Sequence, residues 1–163
     1  MVLKYTKVLV LLICLSAFSS LSAQSLKQKG FYAGIQSSSY AYGLSGKMDF
    51  TDKITGQAII GFLGTINSYT ARGLYKFKQD RFYDVYAFGA LGILTWDGYY
   101  SLGNKSESVI SFGAGGGVEY DLRGLDSNFI PLFVNVELQA TMASFDYYDF
   151  GYIALGLGLH YKF

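Results

Sequence analysis

The sequence predicts an all-β fold, an eight-stranded antiparallel transmembrane β-barrel preceded by a cleavable signal peptide. Three observations predict it: an export-like first segment, no later apolar run near the roughly 20 residues of a spanning helix, and eight segments that alternate apolar and polar residues. Backbone groups in a bilayer have no water to bond, so a chain that spans without helices must close into a barrel.

Residues 1–23 have the three parts of a signal peptide. Lys4 and Lys7 form a positive first part, and residues 8–18 are almost wholly apolar. Small residues then lead up to Ala23, as a signal peptidase requires. The apolar run is too short for a spanning helix, so we expect cleavage after Ala23.

The predicted mature domain, residues 24–163, carries 11 basic and 12 acidic side chains without a basic tract. Nucleic acid is therefore excluded as an expected partner. The whole chain has 18% aromatic residues, 20 glycines and one proline, which is unusual for a soluble domain. Its only cysteine, Cys14, lies in the signal segment, so no internal disulfide is expected in the mature protein.

The first four alternating segments share a clear period of two. In the second, alternate positions from Tyr42 to Phe50 are apolar, aromatic or small, whereas Lys47 and Asp49 lie on the opposite face. In the third, the face that would point inward is only weakly polar. These patterns predict strands over Phe31–Ser38, Tyr42–Phe50, Thr55–Leu63 and Tyr69–Lys78.

The last four segments differ in how clearly their two faces separate. The seventh and eighth alternate strictly, and the sixth has mainly glycine on its polar face. The fifth is apolar or small on both faces, so its orientation cannot be assigned from the pattern. The predicted strands are Val85–Thr95, Val109–Leu122, Leu132–Met142 and Ile153–Phe163.

The two sets of faces distinguish a membrane barrel from a soluble barrel, which would hide its apolar face. Continuous faces of Leu, Ile, Val and Phe, bracketed by aromatics such as Tyr42 and Phe50, favour contact with lipid. The opposite faces combine glycines with charges of both signs, which suits a narrow lumen in which charges pair. The predicted lumen charge network is Lys47, Arg72, Lys76, Glu119, Glu137, His160 and Lys162.

Within this network we expect Glu137 to pair first with Lys76, Lys47 or Arg72. Side chains can just fill an eight-stranded barrel, so no open pore is expected. A structural ion-pair core is the favoured interpretation and a gate is the alternative.

Connection lengths favour a barrel with both termini in the periplasm, because barrels of this type have their longer loops outside. The longest connection, Trp96–Ser108, then lies outside, although Arg123–Pro131 is a long periplasmic turn. Candidate loop contacts, which would suit protein, glycan or lipopolysaccharide, are Trp96, Tyr99, Tyr100, Tyr147 and Tyr148. The alternative is that these aromatics continue the outer girdle.

The chain ends in an alternating strand that closes on Tyr161 and Phe163. With the signal segment and the eight alternating segments, this ending resembles the small OmpA/OmpX-like outer-membrane β-barrel superfamily. The resemblance implies a monomer in the outer membrane of a Gram-negative bacterium, surrounded by lipid and lipopolysaccharide. It also implies that Tyr161 and Phe163 act as an assembly signal for the barrel-assembly machinery.

No enzymatic motif stands out in the sequence, and we expect no enzyme and no cofactor. His160 is the only histidine, near the periplasmic end, and no second catalytic group is identified beside it. Residues 113–117 superficially resemble a phosphate loop but lie within a predicted strand. We expect a structural or surface-contact role through the external loops. The alternatives are a narrow channel or transporter for small or apolar molecules, and a lipid-modifying enzyme.

Overall fold

The computed structural model describes residues 30–38, 41–63, 66–97, 106–144 and 149–163. The predicted signal peptide lies outside these residues, as do Tyr99, Tyr100, Tyr147 and Tyr148. Among the described residues, no helix has the length and apolar character needed to cross a membrane.

Eight antiparallel strands form one closed barrel in which every strand pairs with its neighbours in the chain and β1 pairs with β8. A short 3-10 turn, Leu122–Gly124, follows the sixth strand. The strands are β1 (Phe31–Ser38), β2 (Ala41–Asp49), β3 (Ile54–Leu63), β4 (Ile66–Gln79), β5 (Tyr83–Asp97), β6 (Ser106–Asp121), β7 (Leu132–Ser144) and β8 (Asp149–Lys162).

Each predicted strand corresponds to one observed strand, and the largest differences lie at the barrel end opposite the chain termini. β4 begins at Ile66 instead of Tyr69, and β8 begins at Asp149 instead of Ile153. The polar stretch before Tyr69 was expected to be loop, but Ile66 pairs with Trp96 of β5. Pairing with the long strand β5 therefore extends β4 beyond the segment in which apolar and polar residues alternate.

The outer wall is apolar and the inner wall is largely polar, as predicted for a membrane barrel. Exposed fractions on the outside reach 71% for Leu155 and 57% for Leu138. The buried polar residues include Lys47, Arg72 and Glu137. Because this distribution inverts that of a soluble barrel, the outer wall is suited to lipid.

The orientation of β5, which its sequence left open, is set by its neighbours. Pairing with β4 and β6 turns Tyr86, Phe88 and Leu94 inward and leaves Leu91 and Ile93 exposed. The lumen thus contains two aromatic rings that the polar pattern did not identify.

Glycines of β6 make room for these rings. A Cβ atom at Gly115 would lie 2.6 Å from the Phe88 ring, and one at Gly117 would lie 2.9 Å from the Tyr86 hydroxyl oxygen. The glycine-rich face of the sixth segment is therefore a packing surface opposite the aromatic face of the fifth.

Candidate functional site: the packed lumen

Glu137 of β7 is the centre of the lumen network. Its Oε2 accepts hydrogen bonds from Arg72 Nη1 at 2.7 Å and from Gln36 Nε2 at 3.3 Å. Its Oε1 accepts hydrogen bonds from the Tyr86 hydroxyl at 2.7 Å and from Asn135 Nδ2 at 3.0 Å. One carboxylate thus joins β1, β4, β5 and β7 across the lumen.

Arg72 of β4 is held on more than one side. Its Nη2 donates to Gln139 Oε1 at 2.6 Å, and its guanidinium carbon lies 4.5 Å from the centre of the Phe88 ring. Burial of an unpaired arginine would be costly, so the carboxylate of Glu137, the amide of Gln139 and the ring of Phe88 together make this position tolerable.

A second buried ion pair joins Lys47 of β2 to Glu119 of β6. Toward the end of the barrel that holds the termini, Lys76 lies 3.4 Å from Asp49 and 3.1 Å from Asp84. Glu137 therefore takes Arg72 as its ionic partner, whereas Lys47 and Lys76 have acidic partners of their own.

His160 is fully buried, and its Nε2 lies 2.9 Å from the Ser45 hydroxyl oxygen. Ser45 also accepts a hydrogen bond from Gln57 Nε2 at 2.8 Å. No catalytic group was identified beside His160 from sequence, yet the structure places a serine there. Closure of β8 on β1, which itself pairs with β2, brings these two distant positions together.

Lys162 lies at the mouth of the lumen, with its ammonium 5.1 Å from the centre of the Tyr32 ring. The Tyr32 hydroxyl donates to Asp49 at 3.0 Å. Six of the seven predicted network residues therefore lie buried inside the barrel, and Lys162 lies partly buried at its rim.

Several members of the network were absent from the predicted set. Asp49 lies on the polar face of its alternating segment, so the alternation indicates it, but Tyr86 lies in the strand whose facing the pattern leaves open. The neutral amides also lie on polar faces, but the predicted network is a charge network and does not include them. The added members are Gln36, Asp49, Asp84, Tyr86, Asn135 and Gln139.

Among the described residues, a cavity lies inside the barrel on each side of the Glu137 network. A cavity of about 20 Å³, lined by Thr70, Arg72 and Ser111 among others, has room for about one water molecule. A vestibule of about 520 Å³ opens at the end that holds the termini, where Lys76, Glu119 and other charged residues line it.

The candidate loop contacts fall largely outside the described residues. The backbone of Trp96 belongs to β5, where it pairs with Ile66. The predicted role of these loop aromatics therefore stays a prediction. At the opposite end, the terminal Phe163 ring lies 5.0 Å from Tyr161 and 5.7 Å from Phe31.

No family model matches the chain, and no curated protein matches it. Among solved structures, it is similar to the N-terminal β-barrel domain of Pseudomonas aeruginosa OprF, with a TM-score of 0.62 and 18% identity over 82% of this chain and 96% of that one. It is also similar to the Yersinia pestis outer membrane protein Ail in a phospholipid bilayer nanodisc, with a TM-score of 0.43 and 13% identity over 83% of this chain and 98% of that one.

The likeness to the OprF domain confirms the predicted fold, a closed eight-stranded antiparallel barrel. The apolar outer wall and the polar, paired lumen agree with this, because only a barrel surrounded by lipid gains from that distribution. The described barrel accordingly has the surface of a membrane-spanning β-barrel, and its place in the outer membrane stays a prediction.

Proposed function

We propose that this barrel is a closed structural protein of the outer membrane that contacts its surroundings through its external loops, with no open pore and no catalytic activity. The observation that carries the proposal is the network around Glu137, which links opposite walls of the lumen. A lumen filled in this way leaves the loops and the outer wall as the surfaces available for contact.

The closed lumen is supported by the separation of its two cavities. Arg72, Tyr86 and Glu137 lie between the cavity of about 20 Å³ and the vestibule. An ion that crossed the barrel would have to break hydrogen bonds of buried charged groups, each of which is costly to leave unpaired.

Planar-bilayer recording tests the closed state. The purified barrel should give no stepwise conductance, and the double variant Arg72→Ala/Glu137→Ala serves as the comparison with a cleared lumen. Stable single-channel steps from the unmodified barrel would overturn the closed-lumen proposal and favour the narrow-channel alternative.

Surface contact is tested by shortening the longest connection. Residues 98–105 join β5 to β6, and replacing them with a short glycine-containing turn keeps both strands intact. Host cells that display the full barrel should adhere to cultured epithelial monolayers more strongly than cells with the shortened loop. A Ser127→Ala variant, which alters the exposed turn at the other end, is the matched control.

Equal adhesion by cells with the full and the shortened barrel would contradict the surface-contact part of the proposal. A structural role would then remain. Surface expression of each variant, measured with an epitope tag, must match before adhesion is compared.

The absence of catalysis at His160 rests on its surroundings. His160 and Ser45 are both buried, and neither lines the two interior cavities. A lipid ester therefore has no described route to this pair. Incubation with radiolabelled lipid A and phospholipids should release no fatty acid, and release that disappears in His160→Gln would contradict the proposal.

A further inference from the structure

The cavity of about 20 Å³ on the side of the lumen network away from the vestibule has a largely polar lining. The lining brings one guanidinium, three hydroxyls and one amide around a space the size of about one water molecule. The polar residues belong to β4, β6 and β7 and are Thr70, Arg72, Ser111, Gln139 and Thr141.

Arg72 has one N–H group that lacks an acceptor. Its Nη1 donates to Glu137 and its Nη2 to Gln139, but its Nε has no hydrogen-bond partner among the described residues. The Arg72 side chain is only 1% exposed, so bulk water does not serve this group. A buried donor is costly to leave unpaired, and an acceptor in the adjoining cavity would remove that cost.

The charge of the lining is positive. Arg72 supplies it, and none of the described residues that line the cavity is acidic. Glu137 lies outside the lining, and its carboxylate also accepts hydrogen bonds from Gln36, Tyr86 and Asn135. Because these neutral groups stabilise the carboxylate as well, the guanidinium keeps a positive potential on the cavity side, which favours an anion.

The hydroxyl and amide groups also favour a ligand that accepts hydrogen bonds. Thr141 Oγ1 accepts from Gln139 Nε2 at 3.5 Å, and Gln139 Oε1 accepts from Arg72, so two acceptors of the lining are already in use. The hydroxyl hydrogens of Thr70, Ser111 and Thr141 can rotate toward a ligand. A water molecule needs acceptors for two hydrogens, whereas an anion needs donors only.

The volume and the surroundings of the cavity restrict the kind of anion. A space for about one water molecule is too small for phosphate, sulfate or a carboxylate, which leaves a monatomic anion. Toward the barrel end opposite the termini, Ile66, Leu94 and Ala143 form a buried apolar cluster against which Val109 packs. Apolar surroundings strengthen the hydrogen bonds between a charged donor and an anion.

We propose that this cavity binds one halide ion, chloride at physiological salt, through Arg72 Nε and the hydroxyls of Thr70, Ser111 and Thr141. The ion gives the guanidinium a further partner and links β4 to β6 and β7. This site is separate from the external loops, so its test is independent of conductance and of adhesion.

Crystals of the barrel grown from sodium bromide test the site directly. An anomalous peak at the bromine absorption edge should lie in the cavity, within hydrogen-bond distance of Arg72 Nε. Gly113→Ala should remove the peak, because the added Cβ atom would lie 3.3 Å from Thr141 Oγ1 and 3.5 Å from the Ala90 Cβ atom, which both belong to the lining. Gly73→Ala, whose Cβ atom would meet no atom within 4 Å, is the matched control and should keep the peak.

Refolding in two salts tests binding in solution. The barrel is refolded into lipid vesicles and titrated with urea in sodium chloride or in sodium gluconate of equal ionic strength, because gluconate is too large for the cavity. Chloride at about ten times its dissociation constant should raise the folding equilibrium constant about tenfold. Ser111→Ala removes one donor and should lose most of this gain. Ser45→Ala removes a lumen hydroxyl outside the cavity and should keep it.

Each variant is first checked for folding by its heat-dependent gel mobility. If Gly113→Ala fails that check, Ser111→Ala replaces it in the crystals and should weaken the peak severalfold. Three outcomes would overturn the proposal. They are density in the cavity without an anomalous signal, which would identify water, bromide peaks confined to other places, which would mean an adventitious ion only, and an equal chloride gain in Ser111→Ala and Ser45→Ala.

Discussion

Arg72 and Glu137 meet across the lumen at 2.7 Å, although their strands, β4 and β7, are not neighbours in the barrel. The ladder hydrogen bonds of a barrel join only adjacent strands, so this contact and the Tyr86–Glu137 bond are ties between separate parts of the wall. The charged side chains of the lumen therefore have a structural role, because they link strands that the backbone ladder does not join.

Replacing Arg72 by alanine should lower the free energy of unfolding by about 3–5 kcal/mol, because it leaves the buried Glu137 carboxylate without its cation. Urea titration of the barrel in lipid vesicles, followed by circular dichroism, measures the change. Lys53→Ala in the exposed β2–β3 turn is the control and should change stability by less than about 0.5 kcal/mol.

The double variant Arg72→Met/Glu137→Gln refines this test. It removes both charges, so it should be more stable than Arg72→Ala alone. If Arg72→Ala is as stable as Lys53→Ala, the ion pair contributes nothing and the structural interpretation of the lumen is wrong.

Tyr86→Phe removes one hydroxyl from the lumen and leaves the ring in place. That hydroxyl donates to Glu137 and accepts from Asn135 at 3.0 Å, so its loss leaves two buried groups each with one partner fewer. We expect a loss of about 1–3 kcal/mol in the same titration.

Tyr75→Phe makes the same chemical change on the outer wall, where the side chain is 51% exposed. Its free energy of unfolding should stay close to that of the unmodified barrel. Equal losses for the two variants would show that the lumen hydrogen bonds of Tyr86 are not what stabilises the barrel.

Sequence alternation predicted the number of strands and most of their inward and outward faces, because lipid on one side and a narrow lumen on the other impose a period of two. It could not orient β5, since the inward residues Tyr86 and Phe88 are aromatic and the outward residues of this strand are also apolar or small. That information lies in the neighbouring strands, whose glycines at 115 and 117 leave space for the rings.

Most of the lumen charges were also predictable, although Asp49 and Asp84 were absent from the predicted set, but their pairing was only partly so. Glu137 was expected with Lys76, Lys47 or Arg72, and its partner is Arg72. The choice depends on the stagger between strands around the barrel, which places Lys47 opposite Glu119 and Lys76 beside Asp84. A single sequence carries no signal for that stagger.

The short β1–β8 seam should be sensitive to one added methyl group. A Cβ atom at Gly34 would lie 1.9 Å from the Leu159 carbonyl oxygen, a backbone atom that can move only if the seam opens. Gly34→Ala should therefore destabilise the folded barrel by about 1–3 kcal/mol. A larger fraction of this variant should lose its compact gel mobility at moderate temperature.

Gly89→Ala is the matched control on the outer wall, because a Cβ atom added there would meet no other atom within 4 Å. Its mobility should change at the same temperature as that of the unmodified barrel. A Gly34→Ala barrel that behaves like Gly89→Ala would mean that the strands approach less closely at the seam than the structure indicates.

The terminal Phe163 should be needed for assembly in the cell more than for the stability of the folded barrel. Its ring is 61% exposed and contacts Tyr161 and Phe31 at the rim, so its removal breaks few buried contacts. Phe163→Ala should refold in detergent with a stability within about 1 kcal/mol of the unmodified protein. It should nevertheless reach the outer membrane at severalfold lower levels, measured by heat-dependent mobility of membrane fractions.

Phe77→Ala separates a specific signal from a general need for surface aromatics. Phe77 lies near the same end of the barrel and is 62% exposed, yet it is far from the chain terminus. If Phe77→Ala assembles normally, the loss in Phe163→Ala reflects recognition of the last strand by the assembly machinery. If both variants assemble equally poorly, the aromatic rim as a whole is required, and Phe163 is not a distinct signal.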